Sequence, residues 1–338
     1  MIEEKTSRKL TLLTLGLSLA VIIIHTYNLE IYGIDTEAYN FTVIFEKFWW
    51  LLFNGTAVYY FAFISGVLFF RNYDFSKVKD KYSSRFKSLL IPYLVWNILY
   101  YLFFLIVGSL PFLKGVMNSE ESEAGLVELF KYLWEGYGTF WYLKVIIALV
   151  IISPLIYILL KRQKYWYPEV LVVLLVALCF AKQITDSYIS RDIVLALYFV
   201  IGSFVGINAP GVINIKSQKA SRIAMYVLPV LMVLGYFCAG NIVYNAALFV
   251  VLWLAMDLLS YAKEPPWWLK CTFFYYCAHD MILESVEKVI LIVGGRSIGM
   301  ALIDFIFAPV ITFGILVLGA WMLRKYMSPI WKLLNGNR

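Results

Sequence analysis

Only two histidines occur in the 338 residues, His25 and His279, and both fall inside apolar runs. Imidazole is the side chain that takes up and returns a proton near neutral pH, so a buried pair is suited to general acid–base chemistry. The structural alternative for each is an interhelical hydrogen bond. His279 is followed by Asp280, Glu284, Glu287 and Lys288. Their three- and four-residue steps gather a polar stripe on one helical face, which must look toward protein or water rather than lipid. Lys144 sits one turn into another apolar run, where it can stabilise a developing oxyanion or simply snorkel to the interface. Asp257 lies low in a third run, where pairing with a cytoplasmic lysine would satisfy it.

The elements that must carry these residues are membrane helices. Hydrophobic residues make up 62% of the chain and charged residues 15%, with a mean hydropathy of +0.77. A water-soluble fold of this length has no place for so much apolar surface. Spanning-length runs are expected at 10–28, 49–70, 88–110, 141–160, 169–184, 193–209, 223–240, 244–262, 271–294 and 298–323. The expected fold is therefore an all-α polytopic membrane protein of about ten transmembrane helices, with 1–338 as a single integral membrane domain. The run from Leu10 to Ile24 follows Arg8-Lys9 but precedes no small-residue cleavage site, so it reads as a retained first helix. With a cytoplasmic N-terminus, the inside segments hold 21 of the 29 lysines and arginines. The outside loops hold acids instead, Glu30, Asp35, Glu37 and Glu46 in the first and Glu120, Glu121, Glu123, Glu128 and Glu135 in the second. Both termini are then cytoplasmic, and the net charge of +7 reflects orientation rather than nucleic acid binding.

Segment 71–87 is basic and aromatic, suited to lying along the inner leaflet or meeting an anionic cytosolic ligand. Segment 126–134 carries a short helical pattern within the longest outside loop. Ser65-Gly66 allows close backbone approach within its helix. Pro92, Pro154 and Pro309 are expected to kink theirs. Cys179, Cys238, Cys271 and Cys277 form no CxxC pair and read as small core residues.

In this order along the chain stand Val21-Ile22-Ile23-Ile24-His25, Phe63-Ile64-Ser65-Gly66, Arg85-Phe86-Lys87-Ser88-Leu89-Leu90-Ile91-Pro92-Tyr93, Trp141-Tyr142-Leu143-Lys144, Tyr198-Phe199-Val200-Ile201-Gly202 and Phe274-Tyr275-Tyr276-Cys277-Ala278-His279. Taken together they resemble the acyltransferase-3 family of integral membrane O-acyltransferases. The family usually has an arginine eleven residues before the first-helix histidine, and Thr14 stands there in this chain.

The resemblance implies transfer of an acyl group, most often acetyl, from a cytosolic acyl-CoA to a hydroxyl of a carbohydrate or lipid-linked glycan, in a bacterial inner (plasma) membrane and without a metal. His25, near the outer face, is then the expected base, or itself carries the acyl group briefly. His279 and Glu284 assist if their helix packs on the first, and Lys144 stabilises the oxyanion. Arg71, Arg85 and Lys87, with Ser65, are expected to hold the coenzyme A moiety by charge-assisted hydrogen bonds. A transporter or flippase for a sugar-containing or small polar substrate is the competing class, with His279 and Glu284 as its proton relay.

Overall fold

A computed structural model describes residues 3–54, 56–108, 125–162, 165–185, 190–214, 217–238, 241–259 and 265–337. The expected loop acids Glu120, Glu121 and Glu123 lie outside them. Among the described residues the chain is helical and has no strand. Seven helical segments there are long and apolar enough to cross a bilayer, or eight if one bent pair counts as a span. Of the other two expected runs, one forms a shorter apolar helix, α12 (Ile242–Leu259). The other is α13 (Thr272–Gly294), whose charged stripe dilutes its hydropathy.

The first helix, α1 (Glu4–His25), begins earlier than expected and ends at the histidine, where the Thr26 hydroxyl donates to the Ile23 carbonyl at 2.7 Å. The second expected run is two helices, α2 (Phe41–Phe53) and α3 (Ala57–Phe70). Asn40 caps α2 by accepting from the Val43 N–H at 3.0 Å, and Asn54 turns extended to end it. Glu46, expected in a loop, is consequently a helical residue and fully buried. The loop 71–87 folds into a short exposed helix, α4 (Val78–Arg85). A π-helical turn over Phe86–Leu90 leads on into α5 (Ile91–Gly108). Pro92 lacks an N–H and clashes with the turn before it, which is where such a widened turn forms.

The 126–134 pattern forms α6 (Leu126–Glu135). A 3₁₀ turn, Gly138–Phe140, joins it to α7 (Trp141–Ile151), which meets α8 (Ser153–Leu160) at a 65° bend beside Pro154. The helices α9 (Tyr167–Thr185), α10 (Arg191–Asn208) and α11 (Gln218–Cys238) follow, and α14 (Ile298–Tyr326) runs through Pro309 as one uninterrupted helix. A last helix, α15 (Ser328–Leu334), folds back under the bundle. There the Trp96 indole donates to the Leu334 carbonyl at 2.9 Å, and Trp331 packs on Phe274 with ring centroids 5.3 Å apart.

The tightest seam joins α3 to α10. A methyl at Gly66 would overlap the Phe199 carbonyl, and one at Gly202 would overlap the Phe63 carbonyl. Backbone contact of this kind is how small residues hold helices together where lipid supplies no hydrophobic drive. Gly66 therefore packs the seam, and its neighbour Ser65, about 100° further round the helix, lines a cavity instead.

Candidate functional site

The packing of α1 on α13 brings the two histidines together, with ring centroids 5.3 Å apart. His279 is fully buried. Its Nδ1 lies 2.7 Å from the Tyr276 carbonyl oxygen. A carbonyl can only accept, so Nδ1 carries the proton; among the described residues Nε2 has no hydrogen-bond partner. His25 differs in being open: its side chain is 39% exposed at the end of α1. Its Nδ1 lies 3.7 Å from Oδ1 of Asp280. That separation is long for a hydrogen bond but within ion-pair range, and catalytic contacts commonly tighten when substrate binds. Asp280 thus favours the tautomer with the proton on Nδ1 and leaves Nε2 of His25 as the free base. His25, His279 and Asp280 each offer one ligand atom, all within 4.8 Å of one another, so the same trio has the spread of a metal site.

A cavity of about 280 Å³ lies beneath this cluster. Its lining includes Thr14, Ser65, Arg85, Tyr142 and Tyr276, and the rest is mostly aliphatic and phenylalanine side chains. Tyr276 links cavity to cluster. Its ring lies 6.0 Å from that of His279, and its hydroxyl donates to the Thr139 carbonyl. The Ser65 and Tyr142 hydroxyls approach to 3.4 Å on another wall. Among the described residues Arg85 is the one charged residue of the lining, with its guanidinium 5.6 Å from the Phe69 ring. The cavity therefore runs from a cation at one end of the bundle to a tyrosine beside the paired histidines.

Other expected site residues lie elsewhere. Glu284 pairs with Lys288 one turn along α13. Lys144 is half-buried on the first turn of α7, and among the described residues no hydrogen bond or ion pair joins it to the histidines or Asp280. Lys87 is exposed on the π-helical turn. Arg71 follows the end of α3, and neither residue belongs to the cavity lining. Asp257 pairs with Lys9 of α1 at 2.6 Å, both side chains being buried. The stripe on α13 continues to Glu287, which shares its field with Asp304 and Glu46. Asn28 and Tyr32 each donate to Asp304 at 3.1 Å. Burial, with Asp304 beside it, raises the Tyr32 phenol well above its ordinary pKa.

Two features carry more here than the sequence assigned to them. Asp280, in sequence only a member of the stripe, is the carboxylate beside His25; its place next to His279 was the available signal, but its partner depends on which helix packs there. Tyr276 stands where the cavity meets the histidines, visible in sequence only as one aromatic among many.

The fold is thus a helical membrane bundle that sets a histidine–carboxylate cluster beside a cavity lined by an arginine. The acyltransferase domain family matches residues 16–324, and the chain belongs to that acyltransferase-3 family of multi-pass membrane O-acyltransferases. No curated protein and no solved structure matches the chain.

Proposed function

We propose that the protein moves an acyl group, acetyl in the simplest case, from a cytosolic acyl-CoA to a hydroxyl of a surface or lipid-linked glycan in the plasma membrane. The observation that carries this reading is the continuity from Arg85 through the apolar cavity to Tyr276, whose ring lies 6.0 Å from that of His279 in the His25–His279–Asp280 cluster. With the basic end facing the cytosol, Arg85 pairs with a phosphate of coenzyme A and the cavity takes the acyl arm. Thr14 shares that cavity, so Arg85 is the cation available where the family's usual arginine is absent. The exposed His25 meets the acceptor from the other side.

In the reaction, Nε2 of His25 takes the hydroxyl proton as the oxygen attacks the thioester carbon. The carboxylate of Asp280 stabilises the imidazolium. The tetrahedral intermediate then breaks its C–S bond, and the departing thiolate recovers the proton from His25. No proton is consumed overall, and no metal takes part in this scheme.

The test is incubation of purified protein with radiolabelled acetyl-CoA, following coenzyme A release and transferred label, with His25→Ala beside it. Release that requires His25 is the expected result. Transfer by the variant at the wild-type rate would sink the assignment.

A further inference from the structure

A second cavity, of about 230 Å³, opens on the histidine side of the bundle between α6 and the start of α7. Its lining includes Glu128, Lys131, Tyr132, Glu135, Tyr137 and Gly138. It adjoins the reacting groups directly: a Cβ on Gly138 would stand 3.3 Å from Oδ2 of Asp280, the carboxylate whose other oxygen faces His25. Gly138 has φ +34° and Gly136 φ +80°, so the wall between cavity and cluster is kept thin by residues without side chains.

The chemistry of the lining selects a ligand class. Glu135 and Glu128 can accept hydrogen bonds from adjacent hydroxyls, and Lys131, whose Nζ lies 3.8 Å from Oε2 of Glu128, can supply a donor. The stacked rings of Tyr132 and Tyr137, with centroids 5.2 Å apart, give an amphipathic aromatic wall. Acids outnumber the lysine, so an anionic group is repelled. The neighbouring face of α6 turns Leu126, Val127, Phe130 and Trp134 outward, the composition of a helix resting at the membrane interface, which sets the cavity near headgroup level.

We propose that this cavity binds the acceptor, as a neutral or amino-bearing sugar ring with adjacent hydroxyls, and presents one hydroxyl to His25 past Gly138. The proposal rests on the acyl-transfer reading above and names its acceptor subsite. The full-length protein in nanodiscs is given labelled acetyl-CoA with the methyl glycosides of glucose, galactose and N-acetylglucosamine, and with methyl glucuronide. At least one neutral glycoside is expected to be labelled saturably and the glucuronide poorly. The acceptor KM should rise tenfold or more in Glu135→Gln and in Glu128→Gln, with the KM for acetyl-CoA held within twofold as evidence of an intact fold. Labelling with an unchanged acceptor KM in both variants overturns the subsite, as does preference for the glucuronide. Coenzyme A release by the wild type with no glycoside labelled overturns the sugar assignment and leaves acyl transfer standing. No release from acetyl-CoA or succinyl-CoA overturns the acyl-transfer reading, and this proposal with it.

Discussion

The two ends of the bundle are built for different work. At the histidine end, polar groups crowd together: His25, His279 and Asp280 form one cluster, and Asn28, Tyr32, Glu287 and Asp304 lie in another. At the other end a single guanidinium, Arg85, closes a mostly apolar cavity, and Lys9 and Asp257 satisfy each other. Dense polar clusters hold protons and orient rings; an isolated cation above an apolar slot holds an anionic head whose tail is greasy. Rate and donor affinity should therefore separate spatially, with changes at the first end read in kcat and changes at the second in the donor KM.

The strongest test of that separation is His25→Ala, which should lower kcat by about 10²–10⁴-fold, the usual contribution of a positioned base. Its KM for acyl-CoA should stay near wild type, as read by initial rates over a donor series. Asp280→Asn comes next, with kcat lowered by about 10²-fold or more through loss of the orienting carboxylate; a loss confined to donor KM would break the comparison. Arg85→Gln should raise the donor KM by about tenfold or more with kcat little changed, since one charge-assisted hydrogen bond contributes about 1.5–3 kcal/mol. Zinc at micromolar concentration should inhibit reversibly, with EDTA restoring the rate, because the trio of ligand atoms lies within 4.8 Å; His279→Gln should blunt that inhibition. The smallest effect is expected of Lys87→Ala, less than twofold in either constant, because the side chain is exposed and outside the cavity.

Much of the fold could be read from the chain because bilayer thickness imposes a length on every apolar run. Within the described residues each of the ten expected runs is predominantly helical, and the pattern at 126–134 became α6. The 65° bend beside Pro154 follows from the proline; what escaped was the break at Asn54 and the π-helical form of the turn before Pro92. Hydropathy averages over such features, since a break in a helix costs backbone hydrogen bonds without changing side-chain polarity. The histidines were legible as rare ionisable groups in lipid-length segments. Their partners were not, because His25 and Asp280 meet only through the packing of α1 on α13, and spacing along one helix says nothing of what a second helix brings. The same limit explains Glu284 and Lys288, whose four-residue spacing is a pair in its own right.

The ion pair between Lys9 and Asp257 bears on how the chain is made. Lys9 lies in the first helix and is 1% exposed, while its partner belongs to α12, 248 residues further on. During synthesis α1 reaches the membrane long before Asp257 has left the ribosome, so its lysine must wait, hydrated at the surface or held in the insertion machinery. The pair forms only once α12 has been made, with Nζ of Lys9 also resting 3.8 Å from the centre of the Trp253 ring on that same helix. Since α1 also carries His25, and its cluster partners His279 and Asp280 stand on α13, the site is completed only after nearly the whole chain has been made.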